Sequence, residues 1–237
     1  MLAVAAVDVR SGRRHERDAH VTLAAASTIK VLVSAALWSQ VCAGRIDPEQ
    51  RLPVAEAPVP GGGGLLESMD PDTVLTLAEL DLLMLAISDN AATNAVIDVV
   101  GMDAVNDLAA ALGLERTRLC RRMMDVAAAE RGHENTTSAA DMAALLCALA
   151  RADGIPPRAC RRVLAAMAQS HHTDIVARYL PAAASRVVSS KQGELESVRH
   201  DVALIDEGER RIPAAPAAAA DGLARTAALA YRLVCTP

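Results

Sequence analysis

The sequence predicts a mixed α/β (α+β) fold, on three observations. Strand-like segments stand at both ends of the chain, a segment apolar on nearly every helical face follows the first of them, and a long run of helical periodicity separates the two ends. At 237 residues the chain can bury a sizeable core as one domain or two interleaved lobes.

Taken in order, residues 2–10 read as a strand, Ser11-Gly12-Arg13 as its turn, and about 17–23 as a returning strand. Ile29 through Cys42 is broken only by Lys30, Ser34, Ser39 and Gln40, the pattern of a helix buried in the centre of a domain, with Gly44 closing it. Residues 45–75 are loop-rich, with prolines at 48, 53, 58, 60 and 71 and the run Gly61-Gly62-Gly63-Gly64, which is no phosphate loop because no G-K-[S/T] follows. Thr76 caps a helix over 77–87 with Glu79 in its first turn. Further helices are expected at 91–100, 103–112, 138–151 and 156–169; Gly101 and Gly113 end the first two, and Ser138 with Asp141 starts the third. Strand character returns at 186–190 and 198–205, and a last helix spans about 221–234. Between them, Arg210-Arg211-Ile212-Pro213-Ala214-Ala215-Pro216 carries two prolines, which restrict it to a sheet edge or a coil.

Composition excludes several function classes. A net charge of −5 gives no attraction to nucleic acid, and with Trp38, Tyr179 and Tyr231 the only aromatics there are no stacking platforms for bases. No segment is apolar for long enough to span a membrane. Five cysteines, an odd count without a C-x-x-C pair, and an N-terminus that runs straight into a strand-like stretch point to a reduced, cytoplasmic chain or one whose leader has been removed. His171 and His172 are adjacent and the other histidines scattered, with no H-E-x-x-H or Cys/His cluster, so no metal is expected; no G-x-G-x-x-G follows a strand, so no dinucleotide cofactor is expected.

Of the 24 basic residues only two are lysines, Lys30 and Lys191. Arg serves wherever bulk positive charge suffices, whereas a compact ammonium that can lose its proton near neutral pH cannot be replaced by Arg. Lys30 lies in Ser27-Thr28-Ile29-Lys30. Ser27 would sit at the N-terminus of the buried helix, where free backbone N–H groups favour developing negative charge, and Lys30 at i+3 shares its face. A lysine desolvated among Ala, Val and Leu has a depressed pKa and can act as a base. Taken singly, S-x-x-K also describes an ordinary N-cap with a solvated lysine, and Ser88-Asp89-Asn90 an ordinary turn between helices.

Together, S-x-x-K, S-D-N 61 residues beyond Ser27, and Lys191-Gln192-Gly193 103 residues beyond Ser88 resemble the class A serine β-lactamase-like family of the β-lactamase and penicillin-binding-protein serine hydrolases, over nearly the whole chain. The resemblance implies an antiparallel sheet built from both chain ends with flanking helices (1–44 and 186–237) and an inserted all-α lobe (45–185). It implies acyl transfer through Ser27 with Lys30 as base, Ser88 and Lys191 relaying a proton to the leaving group, and Asn90 bonding a substrate amide. The oxyanion hole would be the backbone N–H groups of Ser27 and Glu194. Gly193 would let a substrate backbone approach the strand, and Arg199 or His200 would hold a substrate carboxylate. Asp89 would brace its loop.

Two departures matter. Gln192 stands where the family has Thr or Ser, without the hydroxyl that contacts a carboxylate. The glutamate that holds the deacylating water would fall at Met123 or Met124, ahead of Thr136-Thr137-Ser138-Ala139-Ala140-Asp141-Met142, and a thioether cannot act as a general base. Asp125 is the candidate substitute and Glu130 and Glu134 weaker ones, Glu134 being better suited to pair with Arg121 or Arg122. The expectation is a serine hydrolase acting on an amide, lactam or ester carbonyl of a small molecule or peptide, without fast deacylation. The alternatives are a cytoplasmic transacylase passing the acyl group to an amine, and a degenerate, non-catalytic binder.

Overall fold

A computed structural model describes residues 1–53, 64–172, 175–180, 188–196, 198–206, 211–217 and 220–235, with backbone alone at 214–217, 220–224 and 235. The first three glycines of the tetraglycine run and the predicted strand start at 186–187 lie outside the described residues.

Strand β1 (Ala3–Val7) turns at Gly12 into β2 (Arg14–Arg17), and β3 (Leu23–Ala24) leads to a 3-10 turn at Ala26–Ile29 and helix α1 (Lys30–Cys42). β4 (Arg51–Pro53) and β5 (Val74–Thr76) pair with each other ahead of α2 (Leu77–Ala86). Then follow α3 (Asn90–Val100), α4 (Met102–Ala111), the short α5 (Val126–Glu130), β6 (Thr136–Thr137), α6 (Ala139–Arg151) and α7 (Pro157–Met167). The chain closes with β7 (Val188–Leu195), β8 (Val198–Asp206), β9 (Arg211–Ala217) and α8 (Ala220–Cys235). No helix among the described residues is long and apolar enough to cross a membrane.

Local chemistry starts these helices where the sequence reading placed them. α2 has a full capping box: Thr76 Oγ1 accepts from the Glu79 N–H at 3.2 Å and the Glu79 carboxylate accepts from the Thr76 N–H at 2.7 Å. Asp89 caps α3 and Ser138 caps α6. Gly44, just past α1, has φ +70°, a backbone state that glycine adopts without steric cost.

The main sheet is antiparallel, in the order β2-β1-β9-β8-β7. Two sequence expectations fail here. The returning strand is only β2; Leu23–Ala24 pairs instead with β6, as Leu23 with Thr137 and Ala24 with Thr136. The segment with Pro213 and Pro216 is neither edge nor coil but the central strand β9, pairing with β8 through Leu204↔Pro213 and with β1 through Val4↔Pro216. A proline withholds one donor from the ladder, but its carbonyl still accepts, and here each neighbour on both sides supplies further pairs.

Side chains of the sheet alternate between two cores. Ala3, Ala5, Val7 and Val202 pack toward α1, α2, α3, α6 and α7, while Val4, Ala6, Ala203, Ile205 and Ile212 pack under α8 against Ala227, Ala230, Tyr231 and Val234. α1 runs through the larger core with every residue from Lys30 to Trp38 buried. Its N-terminus therefore meets β7 at one end of the sheet, which fixes where a site can form.

Candidate active site

Ser27 lies in the 3-10 turn that opens into α1, a helix start with no side-chain cap. Ala26 just before it has φ +48°, a left-handed state that is costly for a residue with a side chain. The turn aims the Ser27 amide at β7: a Cβ on Gly193 would stand 2.9 Å from Ser27 N and 3.0 Å from Thr28 N. Only glycine lets the strand run this close to the helix start. Among the described residues the Ser27 side chain, half-buried, makes no hydrogen bond.

One turn on, the fully buried Lys30 donates from Nζ to Ser88 O at 2.8 Å, to Asn90 Oδ1 at 2.8 Å and to Ser88 Oγ at 3.2 Å. Ser88 has φ +62°, a second strained residue at the site. Asp89 braces this corner: Oδ1 accepts from the Ala92 N–H at 2.9 Å, Oδ2 from the Leu66 N–H at 3.0 Å, and Gly64 packs so closely that a Cβ there would overlap the carboxylate. Lys191, also fully buried, comes from β7 and donates to Ser88 Oγ at 2.9 Å and to Gln192 O at 2.6 Å. Lysines 161 residues apart in the chain thus converge on one hydroxyl.

Burial drives Lys30 well below the ordinary lysine range, and the charge of Lys191 adds to this; Asp89 opposes it. Burial lowers Lys191 to about 7, with Asp201 opposing. Two ammonium groups beside a single hydroxyl in a dry site repel each other, which adds to burial in favouring the neutral form of Lys30.

The remaining predicted residues divide. Strand register places Gly193 and Lys191 on the face turned to Ser27. Gln192 pairs with Asp201 and belongs to the face turned to α8, where Asp201 Oδ2 accepts from the Val176 N–H at 2.9 Å. Arg199 shares that face with Glu194, Nε to Oε2 at 3.5 Å. His200 faces the site side but is buried with Nε2 2.8 Å from Ala24 O, and burial lowers its pKa, so the ring is a neutral strut under β3. Lys191 is the cation the described residues bring to Ser88. Asp125 caps α5, Oδ1 accepting from the Ala128 N–H at 2.9 Å. Glu134 accepts from Arg121 Nη2 at 2.7 Å, and Arg122 pairs with Asp98 at 2.6 Å, so both arginines pin the loop. Glu130 lies exposed at the end of α5.

The sequence reading missed Asn94, four residues after Asn90 on the same face of α3. Asn94 Oδ1 accepts from the Met123 N–H at 2.8 Å and Nδ2 donates to Met123 O at 3.1 Å. These two bonds clamp the Met123 peptide one helical turn from the partner of Lys30, with the thioether side chain buried and Met124, at φ +62°, turned out. An Asn exactly one turn past S-D-N was the signal available in the sequence. Among the described residues no group of His, Cys, Asp and Glu is placed to hold a metal ion.

Similar proteins extend the comparison. The β-lactamase of Sphaerobacter thermophilus DSM 20745 is 28% identical, with all of this chain and 93% of that one covered, at a TM-score of 0.88. A variant of the class A β-lactamase of the last common ancestor of Gram-negative bacteria is 27% identical over 99% of this chain and 91% of that one, with a TM-score of 0.85. A mutant of PBP-A, solved as an acyl-enzyme complex with penicillin G, is 25% identical over 98% of this chain and 89% of that one, with a TM-score of 0.87. No curated protein sequence is significantly similar to the chain. The family model described as the β-lactamase enzyme family matches residues 2–228, nearly the whole chain, and the protein therefore belongs to that family, within the serine hydrolases that unite β-lactamases and penicillin-binding proteins.

Proposed function

We propose that the protein is a serine acyl-transfer enzyme in which Ser27 attacks an amide, lactam or ester carbonyl. The observation that carries this reading is the convergence of two buried lysines, both with lowered pKa, on the Ser88 hydroxyl beside the start of α1. Neutral Lys30 takes the Ser27 proton as the Oγ–carbonyl bond forms. The uncapped amide of Ser27 and the Glu194 amide beyond Gly193 receive the negative charge on the carbonyl oxygen. Protonated Lys191 supports Ser88 in passing a proton to the leaving group as its bond to the carbonyl carbon breaks. Asn90, held by Lys30, orients the substrate.

The second half of the reaction is slow with water as acceptor. The peptide that Asn94 clamps beside the site carries Met123, which has no acid–base chemistry, and the carboxylate of Asp125 is engaged by its own helix. A second reading on the same fold follows from this: the acyl group passes to an amine, which needs no base to activate water. Four free cysteines among the described residues suit the reduced, cytoplasmic setting of such an enzyme. A purely binding role sits poorly with the site, since burying two lysines is costly and recognition alone is served by Arg.

The test is intact-protein mass spectrometry after mixing with benzylpenicillin, with Ser27→Ala as control. A persistent adduct, absent from the control, is the expected result. Rapid loss of penicillin without an adduct overturns the slow-deacylation reading, and an adduct that survives in Ser27→Ala overturns the nucleophile.

A further inference from the structure

Helix α1 meets the α2–Ser88 segment at two polar points. One is the contact of Lys30 with Ser88 and Asn90. The other lies deeper in the core. The Trp38 indole N–H donates to Asp81 Oδ2 at 2.7 Å, the Ser34 hydroxyl stands against the same carboxylate, and the Arg162 guanidinium of α7 covers the Trp38 ring at 5.0 Å from its centroid. Ser34, Trp38 and Asp81 are all buried, and Ser34 Oγ and Asp81 Oδ1 have no hydrogen-bond partner among the described residues. The acyl-transfer mechanism uses none of these groups.

Their placement ties them to it. Ser34 and Trp38 follow Lys30 by one and two turns along one stripe of α1, and Asp81 precedes Ser88 by two turns. The helices run antiparallel, and the second contact is a rung below the reactive one. Between the rungs the contact is aliphatic. α1 buries nine consecutive residues, and α2 presents Leu77, Leu80, Met84 and Leu85 to the core. Hydrophobic burial is non-directional, so two helices apolar on most faces have little to fix their rotation or slide. The chain has no Phe to key the interface by shape. A buried carboxylate that accepts an indole N–H is directional, and breaking it strands both groups.

We infer that Asp81 is a positioning residue for acyl transfer: by anchoring Trp38 it sets the register of α1 against α2, and with it the approach of Lys30 to Ser88. The inference rests on the proposed roles of Lys30 and Ser88. Asp81 touches neither substrate nor the reacting atoms and acts through α1. Burial pushes its carboxyl up to about 6, while Ser34 and Trp38 from α1 and Arg162 from α7, the groups that face it, oppose that rise. The anchor therefore changes charge near pH 6.

One tryptophan and two lysines make the test clean. Trp38 fluorescence and the 13Cε resonances of labelled lysine, the latter assigned with Lys191→Arg, are followed from pH 5 to 8 in the wild type, Asp81→Asn and Asp81→Leu. In the wild type, Trp38 and Lys30 are expected to share an inflection near pH 6. Asp81→Asn keeps an acceptor for the indole, so it should lose the inflection, hold the Lys30 resonance at its wild-type low-pH position and keep the rate of adduct formation. Asp81→Leu should move or split the Lys30 resonance and slow adduct formation tenfold or more, with a melting temperature close to that of the wild type. A Lys30 resonance that ignores pH near 6 in the wild type, or is unchanged in Asp81→Leu, overturns the inference. If Asp81→Leu does not fold, the comparison of wild type with Asp81→Asn still decides it. Failure of the acyl-enzyme reading shows separately, as no adduct on wild-type Ser27, and leaves the lysine spectra unaffected.

Discussion

Lys191 Nζ lies 2.9 Å from Ser88 Oγ although 103 residues separate them, and this contact sets how the site responds to pH. In the proposed mechanism Lys30 works as a base without its proton and Lys191 works with one. The acylation rate should therefore rise with pH as Lys30 deprotonates and fall as Lys191 loses its proton near 7. A rate that climbs steadily through pH 8 in a pH series of adduct formation would show that Lys191 is not needed charged.

The two lysines should answer differently to arginine. Lys30→Arg places a permanent cation where a base is required, and adduct formation should fall by about 10²–10⁴-fold. Lys191→Arg keeps the charge, so it should acylate faster than Lys30→Arg and lose the descending limb near pH 7. Comparable rates in the two variants would refute the division of roles.

Gly193 should not tolerate a methyl group. In Gly193→Ala the new Cβ would meet Ser27 N at 2.9 Å and Thr28 N at 3.0 Å, both backbone, so β7 must move off the helix start. Displacement of about 1 Å costs on the order of 10²-fold in rate. Single-turnover kinetics that match the wild type would mean β7 does not bear on the nucleophile.

Met123→Glu should convert a persistent adduct into turnover. The Asn94 clamp holds the backbone of residue 123, so a new carboxylate would enter beside the site, and its burial would raise its pKa toward the useful range of a base. The adduct lifetime should shorten by about 10²-fold or more. If the lifetime is unchanged, the thioether is not what limits deacylation.

Asp81→Asn should stabilise the protein in a pH-dependent way. The folded state holds the Asp81 proton more tightly than the unfolded chain, so the stability this group supplies is present below about pH 4 and is lost as pH rises through about 6. The variant pays no such penalty and keeps an indole acceptor. Its advantage in melting temperature should grow from near zero at pH 4 to several degrees at pH 8, on the order of 1–3 kcal/mol. A difference that does not vary with pH would exclude Asp81 as the titrating group.

Much of this protein was legible in the chain because the signals are local. Ser27 and Lys30 lie three residues apart, Thr76 and Glu79 form a capping box, and Asp89 of Ser88-Asp89-Asn90 caps α3; each pattern falls within about one helical turn of chain. Scarcity marked Lys30 and Lys191, the chain's only lysines, and the ordered set of motifs named the family that the match over residues 2–228 shows. What the tertiary structure decided involves partners far apart in sequence. The prolines of β9 argued for an edge, yet closing the sheet between chain ends placed that strand at its centre. Asn94 and Met123 are 29 residues apart and Trp38 and Asp81 are 43 apart, so no periodicity links them. Register sent Gln192 and Arg199 to the α8 face and buried His200 beneath β3, because a strand's period of two assigns each side chain a face only once its neighbours are known.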